Sequence, residues 1–277
     1  MEIASPKKNS SSKNTMTTIP RFLRPSAILC SVWLVVNVII ASRIDSTSTR
    51  EQRQRRLRVL LSDTPAALVL QDVYFGVGCY WHIQHEFVQA ERLLLGRGDH
   101  ELTARTGYAG SVRTGPDRRV CYHNFQGFAD YEMLGHAEVV GLKLPKSSIM
   151  DFAQVYFGLF DPETKDRVDP QDKGPEYRAL VGLPGGLDHS EYPAIESLGM
   201  SLNFTLQLGD GGDPDTLGKN GLVYVYDSIQ FPFHQAEVFM QFHDDFQSDP
   251  YGTEYNQLME HALEDGRILG QGCPDRL

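Results

Sequence analysis

This chain of 277 residues is short of several things that would declare a function. It has only four cysteines, Cys30, Cys79, Cys121 and Cys273, too few for a disulfide scaffold. No two of them stand at the close paired spacing of a zinc site, so no metal is expected. There are no internal repeats. The longest apolar run, Ala27–Ala41, has 15 residues, whereas a spanning helix needs roughly 17–25. Basic charge is scarce outside the first 60 residues, which hold 11 Lys and Arg against 3 Asp and Glu. The remainder holds 15 against 33, a net of −18 within a total of −10. A body this acidic argues against a nucleic-acid partner, which needs a basic face to displace counterions.

What is present divides the chain in four. Residues 1–25 are polar and carry Lys7, Lys8, Lys13, Arg21 and Arg24, the composition of a disordered basic leader. Residues 26–42 read as a cleaved signal peptide or an uncleaved membrane anchor, with a bipartite organelle address as a third reading. A membrane-anchored or secretory location is therefore expected, with an organelle as the alternative. Residues 43–71 form a linker, in which Glu51–Leu61 is a solvated tether or a short basic helix on a membrane surface. Residues 72–277 form the globular body. If the body is lumenal, Asn203-Phe-Thr205 is a glycosylation acceptor.

Within the body, strands are predicted at Val73–Val77, Glu101–Ala109, His136–Leu144, Ala179–Leu183 and Gly221–Tyr226. The first helix spans Cys79 to about Leu95, with Ile83, Phe87, Ala90 and Leu94 on its core face. Further helices are predicted at Ser147–Leu159, Phe233–Phe246 and Glu254–Gly266, and a tight turn at Gly107–Gly110. Residues 187–220, rich in Gly and Asp, read as a long surface loop. The irregular alternation gives an α/β (α+β) fold, a two-layer sandwich with a mixed sheet.

Chemistry concentrates where the first strand meets the first helix. Cys79 follows Gly78 at the helix start, where free N–H groups and the helix dipole favour a thiolate. Tyr80 and Trp81 beside it offer an apolar pocket. Cysteine and pocket together suit attack on a small, greasy, oxidised group.

Four blocks then occur in order: Gly78-Cys-Tyr-Trp81, Gly107-Tyr-Ala-Gly110, Gly135-His-Ala-Glu-Val139 and Asp172-Lys-Gly-Pro-Glu-Tyr-Arg178. Together they resemble the A-type peptide methionine sulfoxide reductases, from about Val73 to Leu180. Weaker echoes follow at Phe233-His-Gln-Ala-Glu237 and Asp249-Pro-Tyr-Gly252. The resemblance implies that Cys79 is the nucleophile and Glu138 the acid that protonates the departing oxygen. Glu138 lies between Ala137 and Val139, where burial would raise its pKa and keep it protonated. It further implies that Tyr80 and Trp81 hold the S-methyl group, and that Tyr177 and Asp172 support the substrate oxygen. Tyr108 and His136 are expected to be architectural. The substrate implied is the S epimer of methionine sulfoxide, in oxidised proteins or free. No cofactor is implied to be bound, and thioredoxin or a similar dithiol is the implied reductant. Cys273 is the implied resolving thiol, with Cys121 as the alternative.

The chain departs from the family pattern in several places. Asp117 stands where a tyrosine usually does, four residues before Cys121, so one of two hydroxyls on the substrate oxygen is missing unless Tyr122 or another residue replaces it. His82 and Gln84 replace the usual Gly and Glu, and Tyr80 the usual Phe. About nine extra residues fall within 122–134. Thr253-Glu254 stand where a resolving cysteine usually follows Asp249-Pro-Tyr-Gly252. Two rival readings therefore remain: a catalytically weak reductase-like binding protein, and a thiol redox sensor.

Overall fold

The computed structural model describes residues 69–274 except 170, 247 and 248. The leader, the 26–42 segment and most of the linker lie outside the described residues. No helix among those described is long and apolar enough to cross a membrane.

The core is a seven-stranded mixed sheet. Its strands are β1 (Leu70–Gly76), β2 (Arg105–Ala109), β3 (Ala137–Pro145), β4 (Leu180–Leu183), β5 (Thr205–Leu208), β6 (Leu222–Asp227) and β7 (His234–Gln235), in the order β5-β6-β4-β1-β3-β2-β7. The five-strand side from β4 to β7 is antiparallel, whereas β6 runs parallel to both β4 and β5. The helices are α1 (Tyr80–Leu95), α2 (Ile149–Phe157), α3 (Tyr192–Ser201), α4 (Thr253–Asn256) and α5 (Leu258–Glu264). The mixed sheet with helices agrees with the predicted class.

Strand alternation sorts side chains between two cores. Val73 and Phe75 of β1, with Val140, Leu142 and Leu144 of β3, join the larger core, to which all five helices contribute. Tyr74, Ala137 and Val139 point the other way into a smaller core with Leu180, Tyr224 and Tyr226. Glu138 alternates with Ala137 and Val139, so it faces the helical side, where α1 begins. The register sets Tyr108 of β2 opposite it.

Several predicted elements are corrected. Leu94 is 47 % exposed, because α1 runs past the sheet before Gly96 ends it in the left-handed region. Gly107 lies within β2 rather than in a turn. The 187–220 segment contains α3 and β5, since Ile195, Gly199 and Leu206 pack towards the core. Residues 233–246 form no α-helix, only β7 and one 3-10 turn, Val238–Met240. The reason is tertiary. Phe233 lies over the bare backbones of Gly107 and Gly141, where an added Cβ would come within 2.4 and 2.7 Å of its ring. The Gln241 amide meanwhile bonds both the N–H and the C=O of Thr106, at 2.9 and 3.0 Å.

Candidate active site

The turn from β1 to α1 requires a glycine. Gly78 has φ of 74°, and a Cβ there would sit 2.8 Å from Asp172 Oδ2. Cys79 occupies the N-cap, and two carboxylates take the first N–H groups of α1. The Cys79 N–H donates to Asp172 Oδ2 at 2.8 Å, and the Tyr80 N–H donates to Glu138 Oε2 at 3.0 Å. The Gly78 N–H donates to the Tyr177 carbonyl at 3.1 Å, which also accepts from Arg167 Nη1 at 2.6 Å. One helix terminus thus gathers Cys79, Glu138 and Asp172, with Tyr177 held alongside.

The electrostatics support part of the sequence reading and correct the rest. Burial pushes the Glu138 carboxyl up to about 8, against the lowering effect of the Tyr80 N–H, so it is a proton donor at neutral pH. Burial likewise raises Asp172 to about 6. The Cys79 thiol is also raised well above its usual value, first by burial and then by Glu138, while the Trp81 N–H lowers it and Asp172 and Asp245 add to the rise. The helix N-terminus alone therefore does not make Cys79 a standing thiolate, because its N–H groups already serve two carboxylates. Cys79 and Glu138 act as a coupled pair.

A buried hydroxyl that the sequence pattern did not single out, that of Tyr131, faces Glu138. Tyr131 is fully buried and its hydroxyl lies 3.2 Å from Glu138 Oε1, the carboxylate oxygen that Tyr80 leaves open. It stacks on Tyr108 at 4.6 Å and on Tyr122 at 5.7 Å between ring centres. Tyr131 lies within the 122–134 stretch, seven positions before Glu138. Asp117 is far more exposed, 3.9 Å from Arg119, and supplies nothing to this cluster. The hydroxyl of Tyr177 is near enough to be raised by the charge of Glu138, after burial, and by Asp172 and Cys79.

A cavity of about 200 Å³ opens beside Cys79, with Val77, Leu159 and Val168 as its apolar wall and Asp169, Asp172 and Asp245 among its polar lining. Tyr80 and Trp81 do not line it. Tyr80 is buried against Tyr108, 6.1 Å between ring centres. Trp81 spends its N–H on the Met240 carbonyl at 3.0 Å, and its ring is covered by His243 at 4.0 Å and Phe246 at 5.1 Å. Among the departures noted in sequence, His82 lines the cavity. Gln84 is a buried bracket, binding the Ala104 carbonyl and the Phe242 N–H. The architectural reading of Tyr108 and His136 agrees with their bonds to Glu237 and to the Arg113 carbonyl, at 2.8 and 2.7 Å.

Cys273 does not face Cys79 as a free thiol. It forms a disulfide with Cys121, with the Cα atoms 5.7 Å apart, and Cys79 is the free cysteine among the described residues. Cys121 is fully buried and its carbonyl accepts the Tyr131 N–H at 2.8 Å, so the bond anchors the tail beside the tyrosine cluster. Two donor sets lie close enough together for a metal ion, Cys121–Glu237–Cys273 and His123–Asp130–Glu132. In the first the sulfurs are bonded to each other. In the second His123 and Asp130 pair at 2.9 Å, and Asp130 also accepts the Glu132 N–H.

No protein-family profile matches the chain. Among individual proteins it is similar to the peptide methionine sulfoxide reductase MsrA of Acinetobacter baumannii strain AYE, 30 % identical over 115 residues, or 40 % of this chain. It also matches the enzyme of that name from Geobacter metallireducens, 25 % identical over 124 residues, 44 % of this chain and 64 % of the relative. The chain spans 56 % of the length of the Acinetobacter relative. Among solved structures, Mxr1 from Saccharomyces cerevisiae in reduced form aligns with a TM-score of 0.40 at 17 % identity, over 64 % of this chain and 84 % of that one. Methionine sulfoxide reductase A of Corynebacterium diphtheriae aligns with a TM-score of 0.37 at 13 % identity, over 72 % and 76 %.

Proposed function

Given its similarity to the peptide methionine sulfoxide reductases of the A type, we propose that the chain reduces methionine-S-sulfoxide, free or in oxidised proteins, to methionine. The observation that carries this reading is the sharing of one helix terminus by Cys79 and a buried carboxyl that is protonated at neutral pH. A sulfoxide is reduced when sulfur is attacked by a thiolate while its oxygen is protonated, and these two groups supply both. The Cys79 proton leaves, its sulfur attacks the methionine sulfur, and Glu138 protonates the oxygen. The S–S bond so formed and the S–O bond of the substrate break as the hydroxyl passes to the Cys79 sulfur, giving methionine and a Cys79 sulfenic acid, and the proton released by Cys79 restores Glu138. Tyr131 and Tyr177 steady the oxygen and Asp172 fixes the helix terminus.

Regeneration completes the cycle. Cys273 condenses with the sulfenic acid, releasing water and forming a Cys79–Cys273 disulfide. Cys121 then attacks the Cys273 sulfur, freeing the Cys79 thiol and leaving the Cys121–Cys273 bond, which a thioredoxin-like dithiol reduces. The presence of that bond and the glycines around Cys273, Gly270 and Gly272, support this order. A secretory or membrane-anchored location through residues 26–42 stays part of the reading, and a disulfide suits such a compartment.

The test is turnover of a methionine-S-sulfoxide peptide with dithiothreitol, in wild type, Cys79→Ser and Glu138→Gln. Methionine from wild type and none from Cys79→Ser is expected. No methionine from wild type would favour the binding-protein alternative, to which Asp117 and Thr253-Glu254 lend themselves.

A further inference from the structure

The turn that carries Tyr177 is held from outside the stretch that resembles the reductases. It is a single 3-10 turn, Pro175–Tyr177, lying between Gly174 and β4. So short an element has few bonds of its own to fix it. Two neighbouring side chains, Asp215 and Thr216, take N–H groups on either side of it. Asp215 Oδ2 accepts the Gly174 N–H and Thr216 Oγ1 accepts the Ala179 N–H, both at 2.8 Å. Asp215 Oδ1 also pairs with Arg167, whose side chain is 2 % exposed. Arg167 in turn donates from Nη1 to the Tyr177 carbonyl at 2.6 Å, and that carbonyl accepts the Gly78 N–H at 3.1 Å. A continuous chain of bonds therefore runs from Asp215, through Arg167 and the Tyr177 carbonyl, to the residue before Cys79.

Asp215 also sets the charge beside the thiol. Cys79 is faced by Glu138 of β3, His82 of α1, Asp169 and Asp172 of the loop before residue 174, and Asp245, with the Tyr177 hydroxyl close by. Arg167 supplies the guanidinium in that lining, and its charge lowers the Asp172 carboxyl. Burial raises the Asp215 carboxyl, but the Leu217 and Gly174 N–H groups and Arg167 outweigh it and hold it below its usual range, so Asp215 is ionised at neutral pH. Asp215 is not part of the cavity lining, so it offsets the Arg167 charge without adding a carboxylate to the cavity. Resting on the reductase reading, we propose that Asp215 is a positioning residue for the reaction: through Arg167 and Gly174 it fixes the turn that brings Tyr177 to the substrate oxygen, and by pairing with Arg167 it keeps that cation from drawing Cys79 into a resting thiolate.

The experiment uses the full chain as wild type, Asp215→Asn and Asp215→Glu. Alkylation of Cys79 by iodoacetamide is followed against pH by mass spectrometry of its peptide, and methionine formation with dithiothreitol is measured separately. Asp215→Asn uncovers the Arg167 charge, so the alkylation midpoint is expected to fall by about one pH unit. Asp215→Glu keeps the charge and displaces the carboxylate, so its midpoint should stay at the wild-type value. In both variants kcat is expected to fall about tenfold, with KM within about twofold of wild type. Adding Tyr177→Phe to either should then cost little more, although it lowers kcat in the wild-type background, because residues that act through one another are not additive. A bond that only supports the fold would leave the alkylation midpoint of Asp215→Asn where it is. That result, or a Tyr177→Phe effect as large in either variant as in wild type, would overturn the proposal, and Asp215→Glu alone decides the second point if Asp215→Asn does not fold. No methionine from wild type would refute the reductase reading instead, while the alkylation midpoints still decide the role of Asp215.

Discussion

Cys79 and Cys121 mark the two ends of one row of tyrosine rings. Tyr80 follows Cys79, Tyr122 follows Cys121, and Tyr108 and Tyr131 stack between them. At the first end the sulfur is free, beside a cavity and a raised carboxyl. At the second the sulfur is fully buried and bonded to the chain's tail. The same side chain thus has two states set by surroundings: a free thiol where acid and open space meet it, and a clasp where a second sulfur does. What joins the two ends is Tyr131, whose N–H is held by the Cys121 carbonyl and whose hydroxyl reaches Glu138.

The comparison is broken most severely at the first end. Cys79→Ser should abolish methionine formation, and Glu138→Gln should slow it by about 10²–10⁴-fold, the usual worth of a positioned acid. At the second end, Cys273→Ser should leave turnover with dithiothreitol near wild type yet eliminate it with thioredoxin. Full activity with thioredoxin would assign the bond a purely structural role. The bond closes a separation of 152 residues, so its loss from the oxidised protein should lower unfolding stability by about 3–5 kcal/mol, measured in urea.

Smaller effects probe the residue that joins the ends. Tyr131→Phe should lower kcat/KM about tenfold. Its hydroxyl favours the charged form of Glu138, so its removal should also move the pH profile upward. The profile itself has a definite sign. Productive attack needs one proton on the Cys79–Glu138 pair, on the carboxyl. Because Glu138 is raised to about 8 and the thiol is raised as well, the pair carries two protons at lower pH. Hence kcat/KM should climb about tenfold per pH unit towards pH 8 and then level off. A profile that falls steadily from pH 6 would show that thiolate formation is not limiting.

The sequence made the first end legible because its determinants are local. Gly78, Cys79 and the strand-to-helix change stand side by side, and Glu138 sits in an apolar run whose alternation fixes its face. The mixed sheet was legible for the same reason. The second end was not, because its determinants lie far apart in the chain. Nothing near Cys273 signals that it meets Cys121, and nothing near Tyr131 signals that its hydroxyl folds onto Glu138. The false helix over 233–246 has the same origin: Phe233 is placed by the bare backbones of Gly107 and Gly141, and Gln241 by Thr106. Likewise Trp81 reads as a pocket aromatic until His243 and Phe246 are seen to cover it.

The central claim is that Cys79 itself takes the oxygen. It is tested most directly by one turnover of the Cys121→Ser/Cys273→Ser protein with methionine-S-sulfoxide and no reductant, followed by mass spectrometry of the Cys79 peptide after dimedone trapping. The expected result is one equivalent of methionine and one dimedone adduct, located on Cys79. Methionine released with Cys79 unmodified, or an adduct elsewhere, would contradict the account.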